Sequence, residues 1–250
     1  MIRILLSGCN GAMGRVITAA VHEREGVEIV AGIDPNTEAA SGYPVFASAA
    51  DCDVAADVII DFSHPTACAP LLSYALQRNI PVVVATTGLG EEQIRLVNET
   101  AKALPVFFSW NMSLGINLMT ELCKMAARVL GREFDIEIIE KHHNKKIDAP
   151  SGTAFMLANS IAEEFESPPR YEFDRHSKRQ RRTKDEIGIH AVRGGTIVGE
   201  HDVVFAGRDE LLTVSHSARS KEIFATGAIS AAEFLFGKTA GLYSMADMMK

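Results

Sequence analysis

The sequence is short of cysteine, and its few cysteines form no recognisable pattern. Four occur in 250 residues, far apart and without a C-x-x-C pair: Cys9, Cys52, Cys68 and Cys123. This spacing excludes a disulfide framework and offers no set of zinc ligands, so we predict no metal site. It is typical of reduced thiols in a cytoplasmic protein.

Excess positive charge and long apolar runs are also missing. The net charge is -7 and the pI about 5.6, which argues against a general nucleic-acid binder. No apolar run approaches the roughly 20 residues of a membrane span, and the first one is too short for a signal peptide. We therefore expect a cytoplasmic protein with no nucleic-acid or membrane partner. Its 47% apolar content can fill one large core or two smaller ones.

A glycine-rich turn follows the first apolar run. Residues 2–6 read as a buried parallel strand, residues 8–15 are GCNGAMGR, and residues 16–21 read as a helix. Strand, glycine-rich turn and helix together form the context of a dinucleotide-binding fingerprint. The spacing here is G-x-x-G-x-x-G rather than the commoner G-x-G-x-x-G, so a plain strand-to-helix turn is the alternative.

An acidic residue ends the second predicted strand, residues 27–33. Asp34 lies twenty residues after Gly14, where a carboxylate can accept both ribose hydroxyls of adenosine. No Arg or Lys occurs between Arg24 and Arg78 to hold a 2′-phosphate, so we predict that NADH is used at least as well as NADPH. Arg15 could reach a phosphate instead, or be a solvated helix residue.

Strands continue to alternate with helices over the first half of the chain. Predicted strands at 57–62, 80–85 and 105–108 each precede a helical stretch. This order indicates an α/β fold with a doubly wound, parallel, Rossmann-type sheet. Ligands of such sheets bind beyond the carboxyl ends of the strands, which selects residues 62–63, 85–88 and 109–112. Each of these segments could also be an ordinary turn.

After Gly131 the pattern changes to strands with few helices. We predict strands at 134–140, 187–192, 196–205 and 211–215, with hairpin turns at 193–195 and 206–210. The segment 166–185 is rich in Arg and Lys and reads as a flexible, solvent-facing loop, or as one that closes over an acidic substrate. The pattern predicts a second α+β domain built on an open mixed sheet. We place the dinucleotide-binding domain at 1–113 and 222–250, and the second domain at 114–221.

The segment 140–154, EKHHNKKIDAPSGTA, carries the most chemistry. Two imidazoles and three ammonium groups lie within six residues, between a strand end and a helix start. A helix N-terminus binds anions, and imidazole titrates near neutral pH, so the segment predicts a catalytic anion site. A solvated basic turn is the alternative. We expect the strand to end at His142, and Asp148 and Ser151 to act as helix caps.

With these segments assembled, the chain resembles the dihydrodipicolinate reductases of bacterial lysine and diaminopimelate synthesis. The resemblance rests on residues 8–15, 61–65, 85–88, 111–117, 140–154, 188–195, 198–201 and 237–243. It implies hydride transfer from NADH or NADPH to the cyclic dicarboxylate 4-hydroxy-tetrahydrodipicolinate, with loss of water. It also implies a homotetramer, with the second domain's sheet supplying the contacts.

The resemblance also implies roles for particular residues. His142 would be the proton donor and Lys146 its catalytic partner, while His143, Gly152 and Thr153 would hold the substrate carboxylates. The implied cofactor-binding residues are Gly8, Cys9, Asn10, Gly11, Ala12, Met13, Asp34, Ala85, Thr86, Thr87, Ser109, Trp110, Asn111 and Met112. Two positions depart from common members, because Met112 stands where Phe is frequent and no Arg follows Asp34. For His143, a purely structural role is the alternative.

Two other functions fit parts of the sequence. A nucleotide-sensing protein could have kept the cofactor fold and lost the chemistry, although His142 and Lys146 speak against this. A two-domain semialdehyde dehydrogenase would need an activated cysteine nucleophile, and no cysteine follows Cys123. The roles of His190, Arg193 and residues 199–201 stay open between structural pairing and ligand contact.

Overall fold

A computed structural model describes residues 1–38 and 42–249. The chain divides into two compact units, Met1–Leu114 with Lys221–Lys250, and Gly115–Ser220. No helix in the described part of the chain is long and apolar enough to cross a membrane.

The described residues form twelve strands and seven α-helices. The strands are β1 (Ile2–Ser7), β2 (Val27–Ile33), β3 (Val45–Phe46), β4 (Val58–Asp61), β5 (Val82–Val84), β6 (Pro105–Phe108), β7 (Asp135–His142), β8 (Arg170–Glu172), β9 (Glu186–Arg193), β10 (Gly199–Ala206), β11 (Leu211–Ala218) and β12 (Gly241–Tyr243). The helices are α1 (Ala12–His22), α2 (Pro65–Arg78), α3 (Glu91–Ala101), α4 (Leu114–Leu130), α5 (Gly152–Ala162), α6 (Glu222–Leu235) and α7 (Met245–Met248).

The first unit is a seven-stranded parallel sheet in the order β12-β6-β5-β4-β1-β2-β3. Its central strands are buried on both faces, which explains their nearly continuous apolar runs. One face packs against α1 and α6, and the other against α2 and α3. The predicted doubly wound sheet is confirmed. Of its seven strands, the sequence pattern missed two short ones, β3 and β12.

The second unit is a five-stranded mixed sheet in the order β11-β10-β7-β9-β8. Burial alternates along β7 and β10, as expected for strands with one face on a core. Ile138, Val203 and Phe205 are fully buried on that face, against Leu157 of α5 and Cys123 of α4. The predicted α+β architecture on a mixed sheet is therefore confirmed.

One predicted hairpin is wrong, and the error matters for the site. Strands β9 and β10 are not neighbours, because β7 lies between them, parallel to β9 and antiparallel to β10. Their connection instead passes the end of β7, where the Gly194 N–H donates to the His142 carbonyl (2.9 Å) and the Asn144 N–H to that of Gly195 (3.3 Å). A local turn pattern cannot reveal a strand inserted from earlier in the chain. The hairpin at 206–210 is confirmed by the β10–β11 pairing.

The prediction of a solvent-facing basic loop at 166–185 holds for most of the segment, whose residues are largely exposed, but is wrong at one point. The segment contains β8, which pairs in parallel with β9. Four of its cations pair with acidic side chains of the sheet: Arg170 and Arg175 contact Glu186, Lys178 contacts Glu172, and Arg182 contacts Asp135 and Glu137. A count of charges in the loop could not show that the sheet edge carries the opposite charges.

The ion pairs of Glu186 predict acid sensitivity. Burial alone would raise the pKa of Glu186, but hydrogen bonds from Arg175, Thr183 and Arg170 outweigh it and lower the pKa from 4.5 to about 2. A lowered folded-state pKa stabilises the fold above the ordinary pKa, and this stability is lost as the pH falls towards 2. We expect Glu186→Gln to lower the free energy of unfolding at pH 7 and to flatten its fall between about pH 5 and pH 2.

Urea unfolding at several pH values measures this effect. Glu166→Gln is the matched control, because Glu166 is an exposed carboxylate of the same segment. Equal pH dependence of the Glu186→Gln variant and the parent would contradict the assignment.

Candidate active site

The glycine-rich turn of the first unit packs too closely for side chains. Gly8 has φ +79°, and a Cβ there would lie 2.5 Å from the Phe62 carbonyl oxygen. A Cβ on Gly14 would lie 2.2 Å from the Gly8 carbonyl oxygen, so α1 starts in contact with the turn. Gly11, the N-cap of α1, has no capping side chain. The first N–H groups of α1 therefore suit a phosphate.

Asp34 lies beside this turn, as the ribose-binding prediction requires. Its carboxylate accepts the N–H groups of Asn10 (3.0 Å) and Asn36 (3.0 Å), which fixes it at the end of β2. Arg15 donates from Nε to the Asn10 carbonyl at 3.1 Å. Asp34 and Arg15 therefore both hydrogen-bond to the main chain of Asn10.

The predicted strand-end segments meet at the carboxyl edge of the sheet. Asp61 is buried at the end of β4, and its carboxylate accepts hydrogen bonds from Ser63 Oγ (2.6 Å) and Thr86 Oγ1 (2.8 Å). Burial raises the pKa of Asp61. The side chain of Thr86 is therefore occupied, and those of Cys9 and Met112 are buried as well. These three residues therefore present no exposed side chain to a ligand.

Segment 109–112 is held by its own hydrogen bonds and by α6. Ser109 Oγ donates to the Asn111 carbonyl (2.8 Å), and Asn111 Oδ1 accepts the Ser113 N–H (2.8 Å). A Cβ on Gly227 would lie 1.7 Å from the Met112 carbonyl oxygen, so only glycine allows this approach. The Trp110 side chain is 53% exposed. The tight turn, the acidic residue and these strand ends together fit a pyridine dinucleotide.

In the second unit, Glu140 is the centre of a polar cluster inside the sheet's buried face. It is fully buried, yet its carboxylate oxygens accept from Arg193 Nη1 and Nη2 (both 2.7 Å), from the Ser151 N–H (3.0 Å) and from His142 Nδ1 (2.6 Å). Burial opposes ionisation of Glu140, but Arg193 and His142 outweigh it and lower the pKa of the carboxyl group.

His142 ends β7, as predicted, and its side chain is 12% exposed. Its Nε2 faces Gly199 of β10, which has no side chain. A Cβ on Gly199 would lie 3.1 Å from this nitrogen. The buried ring of His201 lies edge-on, 5.3 Å away between centroids. Burial lowers the pKa of His201 to about 4, so this neighbour is neutral at neutral pH.

Lys146 lies in a tight turn that follows His142, in the connection to α5. The Lys146 N–H donates to the His143 carbonyl, and its Nζ lies 2.8 Å from Asp148 Oδ1. The hydrogen bond from Lys146 lowers the pKa of Asp148. Asp148 is therefore an ion-pair partner, and its predicted role as a helix cap is wrong. Ser151 is the cap, since its Oγ accepts the Ala154 N–H at 3.2 Å.

The other predicted substrate residues lie on the same short path. Gly152 and Thr153 are the first residues of α5, directly after the Ser151 cap. His143 is half-buried, and its Nδ1 has no hydrogen-bond partner among the described residues. Lys141 points elsewhere, to Glu200 and Asp202 at 3.1 Å each.

Glu140 and Arg193 are the functional candidates that the sequence pattern did not single out. A signal was present, because Ile136, Ile138 and Glu140 follow the period of two that points to the core. A carboxylate at a core position needs a partner. Arg193 could not be assigned from the sequence, since its pairing with Glu140 depends on the register of β9 beside β7.

The cysteines show no activated nucleophile. All four are buried, and burial raises the pKa of Cys9 and Cys68 to about 11 and that of Cys123 to about 12. A nucleophilic thiol needs a lowered pKa and access to substrate. These thiols do not support semialdehyde dehydrogenase chemistry.

A Rossmann-type sheet with a dinucleotide-binding turn, together with a carboxylate-bound imidazole, defines a pyridine-nucleotide-dependent oxidoreductase. The family models described as "Dihydrodipicolinate reductase, N-terminus" and "Dihydrodipicolinate reductase, C-terminus" match residues 2–112 and 115–249. The chain belongs to the dihydrodipicolinate reductase family, which confirms the resemblance found in its sequence.

Individual relatives agree with this assignment. The chain is 52% identical over 250 residues to a 4-hydroxy-tetrahydrodipicolinate reductase from Caldanaerobacter subterraneus subsp. tengcongensis, covering 100% of this chain and 99% of that one. It is 48% identical over 249 residues to the same-named protein of Staphylococcus epidermidis, covering 99% and 100%. The dipicolinate-bound dihydrodipicolinate reductase from Paenisporosarcina sp. TG-14 has a TM-score of 0.81 at 27% identity, with both chains covered fully.

Proposed function

We propose that the chain reduces 4-hydroxy-tetrahydrodipicolinate to tetrahydrodipicolinate with NADH or NADPH and loss of water, in lysine and diaminopimelate synthesis. The names of its relatives support the substrate. The observation that carries the proposal is the arrangement at the end of β7, where the buried carboxylate that binds the His142 ring also accepts the N–H of Ser151, the cap of α5.

The substrate is a dianion, and the proposed binding residues supply the opposite charge. Lys146 contributes an ammonium group whose carboxylate partner, Asp148, is exposed and can be displaced or shared. The N–H groups of Gly152 and Thr153 at the start of α5 add a site of partial positive charge. His143 is proposed to contact a substrate carboxylate through its ring. These groups hold the substrate before and during the reaction.

His142 is proposed to supply the proton of the reduction. Loss of the 4-hydroxyl as water leaves a C=C bond conjugated to the ring C=N, and a bound nicotinamide would supply a hydride to the carbon that carried the hydroxyl. The Nε2–H bond of protonated His142 breaks as a new bond forms to the substrate atom beside that carbon, and solvent reprotonates the ring after turnover. A positioned general acid of this kind typically contributes about 10²–10⁴ in rate. Lys146 acts as its partner by fixing the substrate carboxylate.

The remaining assignments follow the same proposal. Residues 1–113 and 222–250 bind the dinucleotide, through the turn from Gly8 to Met13, Asp34 and segments 85–87 and 109–112. Residues 114–221 bind the substrate and form the contacts of a homotetramer through their sheet. The edge strand β11, which exposes Leu211 and Leu212, supports such contacts.

Stopped-flow measurement of NADH oxidation with the cyclic substrate tests the function. We expect multiple turnovers that depend on both compounds. Tight NADH binding without oxidation at saturating substrate would contradict the proposal and favour the nucleotide-sensing alternative.

The position of Asp34 predicts cofactor choice. Because its carboxylate is fixed beside the glycine-rich turn, it attracts ribose hydroxyls and repels a 2′-phosphate. We expect kcat/KM for NADH to equal or exceed that for NADPH. Asp34→Asn removes a repulsion of about 1 kcal/mol or more at 4 Å, so the NADPH-to-NADH ratio of kcat/KM should rise at least about fivefold.

Steady-state assays with both cofactors check this expectation. Asp53→Asn, which neutralises an exposed carboxylate of the same unit, is the control. A parent enzyme that strongly prefers NADPH would refute the role given to Asp34.

A further inference from the structure

We propose that Glu140 and Arg193 form a positioning pair, which fixes His142 in the tautomer protonated at Nδ1 and presents Nε2 as the atom that delivers the proton. The inference rests on the proposed function of His142 as the proton donor. Neither residue needs to contact the substrate to act in this way.

The first step is the position of the carboxylate. Glu140 occupies a core-facing position of β7, two residues before His142 and therefore on the same face of the strand. It is fully buried, and both oxygens are used: Oε1 by Arg193 Nη2 and the Ser151 N–H, and Oε2 by Arg193 Nη1 and His142 Nδ1. A fully paired, buried carboxylate is rigid, so the imidazole bound to it is rigid as well.

The second step is the charge of the pair. Arg193 stays protonated at all relevant pH values, and its two-pronged contact requires a carboxylate with both oxygens as acceptors. Its Nη2 also donates to the Asp148 carbonyl at 2.6 Å, which anchors the guanidinium from the loop side. Glu140 is therefore ionised and carries no proton of its own.

The third step follows from donor and acceptor counting. An ionised carboxylate can only accept, so the 2.6 Å contact requires the proton to be on His142 Nδ1. In the neutral ring the lone pair is then on Nε2, and only Nε2 gains and loses a proton during turnover. The carboxylate also stabilises the ring while it is charged, as in other carboxylate-oriented histidines.

The surroundings of Nε2 agree with this role. On β10, Gly199 carries no side chain beside Nε2, where a Cβ would lie 3.1 Å away, and the next side chain on that face, His201, is neutral. The titratable or charged groups around the His142 ring include Glu140 from its own strand, Arg193 from β9, His201 from β10 with His216 opposite it on β11, and Lys146, whose charge helps to lower the pKa of His201. Among these described neighbours, Glu140 is the one whose charge stabilises a protonated His142.

Nitrogen NMR of the free enzyme tests the tautomer directly. Protein labelled with ¹⁵N-histidine gives a pair of ring signals that is lost in His142→Gln, which assigns them. We expect Nδ1 to be protonated and Nε2 to be the basic nitrogen above the titration of the ring. In Glu140→Gln this preference should be reduced or reversed. A parent His142 protonated at Nε2 would overturn the proposal.

Kinetics of matched variants test the consequence for turnover. We expect Glu140→Gln to lower kcat at least about 10-fold with little change in KM, and to shift the kcat–pH profile to lower pH. Glu140→Asp, which keeps the charge, should recover part of kcat. Glu137→Gln is the control, because Glu137 pairs with His190 at 2.7 Å on the opposite face of the same strand, and it should leave kcat unchanged.

Two further comparisons keep the test decisive. If Glu140→Gln does not fold, Arg193→Lys retains one positive charge but loses the two-pronged contact, and should give the same change of kcat and pH profile to a smaller degree. A folded Glu140→Gln or Arg193→Lys enzyme with the parent's kcat and pH profile would overturn the proposal. If His142→Gln retains turnover, the proposed donor fails, whereas the tautomer measured without substrate still decides whether the pair positions the ring.

Discussion

Replacing His142 with glutamine is expected to lower kcat at least about 100-fold, because the variant loses the group that protonates the substrate beside the hydride acceptor. Glutamine is similar in size and can still hydrogen-bond to Glu140, so the fold should be retained. The glycine-rich turn lies in the other unit, and the dissociation constant of NADH should not change. Single-turnover NADH oxidation and fluorescence titration of NADH measure the two quantities separately.

His190→Gln is the matched control for this experiment. His190 is also bound to a strand glutamate, Glu137, but on the face of β7 that points away from the buried cluster. It should keep the parent's turnover. Near-normal turnover in His142→Gln would remove His142 from the role of proton donor.

Lys146→Met should lower kcat/KM about 10- to 100-fold, chiefly through a higher KM. The physical reason is the loss of a charge-assisted hydrogen bond to a substrate carboxylate, typically about 1.5–3 kcal/mol. The lost ammonium group also leaves Asp148 unneutralised beside the anion site, which adds repulsion. Affinity for the planar dicarboxylate pyridine-2,6-dicarboxylate, measured by calorimetry, should fall by a similar factor.

Lys145→Met controls for the loss of a positive charge near the site. Lys145 is the exposed neighbour of Lys146. If Lys146→Met and Lys145→Met lower the affinity for pyridine-2,6-dicarboxylate equally, the loss reflects the general positive potential and not a specific contact of Lys146. An unchanged KM in Lys146→Met would exclude Lys146 from carboxylate binding.

Periodicity predicted most of the fold because burial in this chain is regular. The bounds of β2 and β6 agree with the sequence pattern to the residue, since a polar residue, Asp34 or Ser109, directly follows each strand. The hairpin assigned to 193–195 failed because β7, about fifty residues earlier in the chain, takes the place between β9 and β10. Pairing between distant strands leaves no mark in a local pattern.

The residue types of the candidate site could be predicted from the sequence, but the contacts between their side chains could not. Histidines and lysines between a strand end and a helix start indicated the chemistry, and His142, Lys146 and Gly152 do lie along one turn. Nothing in the sequence indicates that the Thr86 hydroxyl donates to the buried Asp61 carboxylate, because that hydrogen bond joins two strand ends 25 residues apart. Nor could it pair Arg193 with Glu140, which requires the β7–β9 register.

The path of the chain through its first unit has a consequence for biogenesis. Helix α6 covers one face of the parallel sheet with Ala228, Ile229 and Leu235, and Gly227 seats the segment around Met112. The four residues of α6 are all encoded after the whole second unit. During synthesis, the apolar face that α6 covers therefore stays exposed until α6 has left the ribosome. Chaperones can bind this face in that period.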